Sequence, residues 1–356
     1  MRRRIPYRAQ GGETKGGEEK SDISASSRPR ALVSPPPRLP TSPPLLVIVG
    51  PTAVGKTVLS LQIAQDFNGE IISADSRQIY RGLDIGTAKA TPEEQAIVPH
   101  HLLDVVAPHE VLTLAQFQTR AYAAIEAIHQ RKRLPILVGG TGQWVQAVVE
   151  GWGIPRVPPD PALRAALEAE AQTIGPEAFH ARLAAVDPQA AQKLDPRNVR
   201  RVIRALEVYH KTGVPISQHQ RKTTPPYHTL QIGLTVPREA LYQRIDQRVD
   251  QMMEMGLLDE VKRLVEAGYG WDLPAMSGLG YRQIGQYLRG EVSLEEAVAL
   301  IKKETRRFVR QQYNWFRLDD PQIKWFDVSE GLGEAYKKAK NFLGAENWNQ
   351  DKSVEK

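Results

Sequence analysis

Short unbroken apolar runs alternate along this chain with longer stretches in which apolar residues return every three or four positions. Residues 45–49 (LLVIV) run straight into Gly50-Pro51, and an apolar run of that length closed by turn residues predicts a strand buried on both faces. Residues 70–74 (EIISA), 134–138 (LPILV) and 231–235 (QIGLT) read as further strands. Between them the period changes. Leu59, Ile63 and Phe67 share one helical face, as do Leu114, Phe117, Ala121, Ile125 and Ile128. Strands separated by amphipathic helices predict an α/β fold, a P-loop NTPase-like parallel sheet flanked by helices.

After Gly153 the texture shifts. Residues 154–161 hold four prolines, and residues 162–206 are rich in Ala, Glu and Arg with helical period, broken at Gly175-Pro176, Asp187-Pro188 and Asp195-Pro196. This predicts a helical insertion domain over 154–225, entered through a stiff connector, with the core domain built from 45–153 and 226–330. Helices are expected over 238–254, onward to Ala267 with Gly268 as cap, and over 294–318. Residues 1–44, Pro- and Arg-rich without apolar period, read as a disordered leader, and 331–356 as a polar tail. Glu13, Glu18, Glu19 and Asp22 argue against an organelle transit peptide.

Composition narrows the chemistry. The 356 residues include no cysteine, which excludes disulfides, thiolate nucleophiles and cysteine-bound zinc. No apolar run reaches the roughly 18 to 20 residues of a membrane span. The net charge is +6, but residues 1–44 carry nine Lys/Arg against four Asp/Glu. Any polyanion-binding surface beyond the leader must therefore come from local clustering.

Gly50-Pro51-Thr52-Ala53-Val54-Gly55-Lys56-Thr57 matches G-x-x-x-x-G-K-[ST] between a strand and a helix. Its backbone N–H groups would cradle phosphates, Lys56 would reach the outer phosphate and the Thr57 hydroxyl would hold Mg²⁺. Such a nucleotide- or ATP-binding loop defines an anion site and leaves the reaction open. Asp75, at the carboxyl end of the second strand, would lie beside it. It could hold Mg²⁺ through water, or act as a general base on a nucleophile. The glycine-rich residues 78–90, with Arg81, Asp84, Thr87 and Lys89, read as a ligand-contacting loop. His100 and His101 have no third ligand at metal spacing, and Asp104 is a weak candidate for an acidic magnesium residue. The strand at 134–138 ends in Gly139-Gly140-Thr141-Gly142, where a nucleotide hydrolase would often place an aspartate.

Arginines cluster twice. Arg197, Arg201 and Arg204, with Arg200, mark one helix face as a phosphate-contact candidate, and Arg164 either reaches over the phosphate loop or lies in solvent. In the 294–318 helix, Arg306, Arg310 and Arg317 share a face among Phe308, Tyr313, Trp315 and Phe316. These aromatics either stack bases or belong to the core.

Taken in order, GPTAVGKT, DSRQIYRGLDIGTAK (75–89), PHHLLD (99–104), VGGT (138–141), RALEV (204–208) and GYRQ (280–283) resemble the tRNA dimethylallyltransferase, or tRNA isopentenyltransferase, family of bacterial type. The resemblance implies transfer of the dimethylallyl group of dimethylallyl diphosphate to exocyclic N6 of the adenosine 3′-adjacent to the tRNA anticodon, with diphosphate released. It implies Asp75 as general base, and Thr52 and Arg164 beside Gly50, Pro51, Ala53, Val54, Gly55, Lys56 and Thr57 on the diphosphate. Mg²⁺ would sit on Thr57. The tRNA anticodon stem-loop would meet Asp75, Ser76, Arg77, Gln78, Thr141, Arg164, Arg200, Arg201, Arg204, Arg310, Gln311, Gln312, Trp315 and Arg317. It further implies a through-channel, a monomer, a cytoplasmic location and no membrane attachment. With no cysteine, the zinc finger of some eukaryotic relatives is absent. A P-loop ATP-dependent small-molecule or nucleoside kinase, and a catalytically silent tRNA-binding protein, are the alternatives.

Overall fold

The structure, a computed structural model, describes residues 42–345. In chain order the elements are β1 (Pro44–Val49), α1 (Lys56–Asp66), β2 (Gly69–Ser73), α2 (Pro92–Ile97), β3 (His100–His101), α3 (Leu114–Gln130), β4 (Leu134–Val138) and α4 (Gly142–Val149). Then come α5 (Pro161–Ile174), α6 (Pro176–Val186), α7 (Pro188–Ala191), α8 (Val199–Thr212) and α9 (Ile216–His219). The chain continues through β5 (His228–Thr235), α10 (Arg238–Glu254), α11 (Leu257–Glu266), α12 (Tyr281–Leu288), α13 (Leu294–Trp315), β6 (Ile323–Asp327) and α14 (Gly333–Ala345).

The strands form one parallel sheet in the order β3-β2-β4-β1-β5-β6. β1 lies inside it, with Ile48 in register with Val138 of β4 and Ile232 of β5. Leu45, Val47 and Val49 join Ile72 and Leu137 in one apolar cluster, while Leu46 and Ile48 join Ile71 and Ile136 in the other. The pleat alternates and helices cover both faces, so every residue of β1 is buried and the sequence shows an unbroken apolar run. α10 and α13 each supply both clusters: Leu241, Ile245 and Val309 to one, Val249 and Ile301 to the other.

Helices α5 to α9 bury a separate cluster around Phe179, Leu183, Val202 and Leu206. The chain enters and leaves this region at one place. Gly153 N–H donates to Arg221 O at 2.7 Å and Thr223 N–H to Gly151 O at 2.8 Å. A Cβ on Gly151 (φ +62°) would lie 1.7 Å from Thr223 O, so only glycine lets these two strands of the neck approach so closely.

Several elements differ from the reading of the sequence, which left α4 and α9 unassigned. β3 and β6 extend the sheet at its two edges, and α2 begins at a capping box in which the Thr91 hydroxyl accepts from Glu94 N–H. Residues 333–345 are no polar tail: α14 buries Ala335, Ala339 and Leu343 against the sheet. The leader and the question of a transit peptide fall outside the described residues, except that Pro44 is the buried first residue of β1. Likewise, 346–356 fall outside them.

Because Leu343 is fully buried, Leu343→Ala is expected to lower unfolding stability by about 2 to 5 kcal/mol, read as a lower urea midpoint at unchanged slope. A tail lying in solvent would leave the midpoint where it is.

Candidate active site

In a parallel sheet all carboxyl ends point the same way, so the loops after β1, β2 and β4 meet above one edge of the core. After β1, Gly50 (φ 140°), Ala53 (φ 64°) and Gly55 (φ 102°) turn the chain into α1. A Cβ at Gly50 would stand 2.5 Å from Leu234 O of β5, which the close strand packing forbids. Lys56 Nζ folds back over this loop and donates to Gly50 O at 3.0 Å and Pro51 O at 2.7 Å. Burial lowers the Lys56 ammonium to about 7; Arg248 pushes the same way and Asp75 opposes them.

A cavity of about 620 Å³ opens beside the loop. Thr52 and Arg248 stand at its wall, and Arg248 Nη1 donates to Thr52 Oγ1 at 3.3 Å. Burial pulls the Arg248 guanidinium below its ordinary value against the pull of Asp75 and Glu94, and so intrinsically strong a base stays cationic. Asp75 and Ser76 line the cavity from the loop after β2. Asp75 Oδ1 accepts from Arg77 N–H at 2.8 Å, which fixes the carboxylate at the turn. The Thr141 hydroxyl after β4 accepts from Ser76 N–H at 3.0 Å, tying the second loop to the third.

α10 shows how one helix can build two surfaces. Ile245, Arg248, Val249 and Met252, at i, i+3, i+4 and i+7, all line the cavity. The arginine faces the anion loop while its neighbours, with Ile301 of α13, form an apolar wall. Phe308, Gln311 and Trp315, further along α13, line the cavity as well, with Phe308 and Trp315 more than a third exposed. Trp315 packs on Gly142, where an added Cβ would lie 2.2 Å from the tryptophan Cβ.

The residues expected at the site divide accordingly. Thr52, Asp75, Ser76, Arg77, Thr141, Gln311, Gln312 and Trp315 line one cavity. Gln312, however, is buried with both ends of its amide engaged: Oε1 accepts from Thr52 N–H and Nε2 donates to Gly140 O, each at 3.0 Å. It fastens α13 to the phosphate loop in place of meeting RNA. Gln78 is likewise turned inward, with Nε2 on Thr87 O (3.3 Å) and Ala88 O (3.1 Å).

Arg164 is absent from the cavity wall. Its Nε and Nη2 each donate at 2.8 Å to the fully buried Glu207, which also accepts from Arg204 Nη1 at 2.6 Å and Asp160 N–H at 2.8 Å. Burial would raise the Glu207 carboxyl, but the hydrogen bonds from Arg164, Asp160 N–H and Arg204 outweigh it and lower the group to about 2. Arg204 is therefore drawn inward as well, while Arg200 and Arg201 stay exposed on α8. Arg310 is exposed on the side of α13 away from the cavity, its Nη1 3.5 Å from Tyr242 Oη, and Arg317 beyond the helix pairs with Asp319.

Of the other polar candidates, Thr87 lines the cavity, whereas Lys89 and His101 are structural. Lys89 is buried, with Nζ on Asp84 Oδ1 (2.6 Å), Asp104 Oδ1 (2.5 Å) and Tyr80 O (2.8 Å). His101 Nε2 lies 2.6 Å from Glu70 Oε2, and no group of three or more His, Cys, Asp or Glu side chains suited to a metal occurs among the described residues. Arg248 is the residue that reading the sequence missed. Its signal was present, a cation interrupting the apolar stripe Leu241, Ile245, Val249 of α10, but no motif pointed to it.

Residues 78–319 match the IPP transferase family. The chain is 59% identical to the tRNA dimethylallyltransferase of Roseiflexus sp. (strain RS-1) over 274 residues, 77% of this chain and 90% of that one. It is 50% identical to the tRNA dimethylallyltransferase of Dehalococcoides mccartyi over 293 residues, 82% and 90% of the two chains. Among solved structures it resembles the full-length tRNA isopentenylpyrophosphate transferase of Bacillus halodurans, with TM-score 0.63, 43% identity and 86% and 98% of the chains covered. A eukaryotic dimethylallyltransferase acting on tRNA aligns at TM-score 0.75 and 30% identity, over 85% of this chain and 80% of the other.

Two measurements test the geometry. A bound diphosphate favours the charged Lys56, so binding takes up a proton once the free ammonium, near 7, has begun to lose it. Affinity for an organic diphosphate, followed by calorimetry, is expected to fall by up to about tenfold per unit between pH 7 and 9 and to lose that slope in Lys56→Met. Arg164→Ala is expected to cost about 1 to 3 kcal/mol of stability, since Arg204 and Asp160 N–H still hold Glu207, while diphosphate affinity stays within about twofold.

Proposed function

The chain belongs to the IPP transferase family, and on that premise we propose that its cavity carries out dimethylallyl transfer from dimethylallyl diphosphate to exocyclic N6 of the adenosine 3′-adjacent to the tRNA anticodon. The observation that carries this reading is continuity. One cavity joins the phosphate-loop Thr52 and Arg248 to Asp75 and to the aromatic wall of Phe308 and Trp315. A kinase would need only the first of these features.

In the reaction the N6 lone pair attacks the allylic carbon, the C–O bond to diphosphate breaks with its electrons leaving on oxygen, and the N6 proton passes to the Asp75 carboxylate. Negative charge grows on the departing diphosphate, and Lys56, Arg248 and the N–H groups of the turn into α1 are the groups assigned to stabilise it. The apolar wall of Ile245, Val249, Met252 and Ile301 suits a five-carbon prenyl chain held away from water. Thr52 contributes its hydroxyl; its N–H is taken by Gln312.

Mg²⁺ fits the residues present in a limited way. The exposed Thr57 hydroxyl at the start of α1 offers one oxygen, and this ion is commonly held by few protein ligands together with the oxygens of its substrate. When bound, it would neutralise charge on the leaving group.

The target base must leave its stack in the anticodon loop to reach Asp75, and Phe308 and Trp315 offer faces to receive it. Exposed Arg200 and Arg201 of α8 and Arg310 of α13 supply cations for RNA phosphates. We read residues 154–225 as an insertion that carries Arg200 and Arg201 to the tRNA, supported by their separate apolar cluster and single neck. No helix among the described residues is long and apolar enough to cross a membrane. A monomer working in the cytoplasm accords with a tRNA substrate.

Incubation with Mg²⁺, labelled dimethylallyl diphosphate and unmodified tRNA, followed by digestion, is expected to place the label on N6-dimethylallyladenosine. Asp75→Ala should abolish transfer while tRNA affinity stays within about threefold, because proton removal acts in the transition state. Near-normal turnover in that variant would remove the base assignment.

A further inference from the structure

Glu260 stands behind the cavity and takes no part in the chemistry above. It is buried on α11. Its Oε2 accepts from the backbone N–H groups of Asp84 (3.1 Å) and Ile85 (2.8 Å), and its Oε1 from Gly86 N–H (3.2 Å) and the Tyr281 hydroxyl (2.5 Å). Successive backbone N–H groups converging on one anion form a nest, and here the anion is the protein's own side chain. Burial, reinforced by the nearby carboxylate, raises the Tyr281 phenol well above its ordinary value, so it stays a donor.

What Glu260 clasps is a wall of the cavity. Gly86, Thr87, Gly280 and Tyr281 all line it. The fit is tight, since a Cβ on Gly86 would lie 2.6 Å from the Tyr281 ring. The far end of the same segment is held by Gln78, three residues beyond Asp75, whose amide donates to Thr87 O and Ala88 O. A shift of residues 84–86 is therefore passed through one short chain to the turn that presents Asp75.

We propose that Glu260 is a positioning residue for transfer, holding the Asp84–Thr87 wall and Tyr281 at the spacing that brings the target adenine to Asp75. The proposal rests on the prenyl-transfer reading. Glu260→Gln keeps the shape but sets an N–H₂ group against backbone or phenol donors, so the nest loses acceptors without losing volume.

The test is steady-state prenylation of tRNA by the full chain, well below the melting temperature of each variant. In Glu260→Gln, kcat at saturating donor is expected to fall about 10- to 100-fold while the KM for dimethylallyl diphosphate stays within about twofold. Glu260→Asp should recover part of the loss, and Tyr281→Phe, lacking one donor, should fall by less than Glu260→Gln. Unchanged kcat in Glu260→Gln overturns the proposal, as does a donor KM that rises in step with the loss of turnover. Should Glu260→Gln fail to fold, an unchanged kcat in Tyr281→Phe overturns it. Wild-type protein that moves no label at all would strike the prenyl-transfer reading, and this proposal with it.

Discussion

The side-chain amide of Gln312 holds the two halves of the site in one frame. A primary amide has one accepting and one donating end, and this one spends them on Thr52 N–H of the phosphate loop and Gly140 O of the loop after β4. The contact admits no larger neighbour: a Cβ at Gly140 would lie 2.3 Å from Gln312 Nε2. Because Phe308, Gln311 and Trp315 ride on the same helix, the aromatic wall is registered against the anion loop to within a hydrogen bond's tolerance. Transfer between two bound groups needs them at a fixed separation, and a fixed α13 keeps the two walls of the cavity at one spacing.

α10 shows the same economy. Three apolar side chains and one guanidinium on one stripe give a surface that is oily along its length and cationic at a single point. The flanking helices reach the core through both sheet faces, so neither α10 nor α13 can drift without disturbing buried contacts at Ile245, Val249, Ile301 and Val309.

Much of this was legible in the sequence, for reasons that can be named. Strands buried on both faces need continuous apolar runs, so β1, β2 and β4 were plain, and the phosphate loop is a local motif whose function resides in consecutive residues. Asp75 could be placed because parallel strands deliver their carboxyl ends to one edge. Arg248 could not, because its partners Thr52 and Asp75 are remote in sequence and its own helix carries other arginines at similar spacing. The resemblance implies Arg164 on the diphosphate, and helical spacing points Arg204 toward RNA phosphates; the buried Glu207, within an apolar stretch of α8, draws both inward. A charged residue's direction depends on where its counter-charge lies, which spacing along one helix does not record. α14 escaped for a related reason: its buried stripe of Ala335, Ala339 and Leu343 is mostly alanine, too weak an apolar signal against Lys337, Lys338 and Lys340.

The neck at Gly151 and Gly153 has a consequence beyond the chemistry. Since the strand entering α5 to α9 and the strand leaving α9 are paired with each other, everything between them hangs from the sheet by a single stalk. Lengthening, shortening or exchanging those helices leaves both attachment points where they are. Descent can therefore remodel those helices while the sheet and the loops at its carboxyl ends are inherited unaltered.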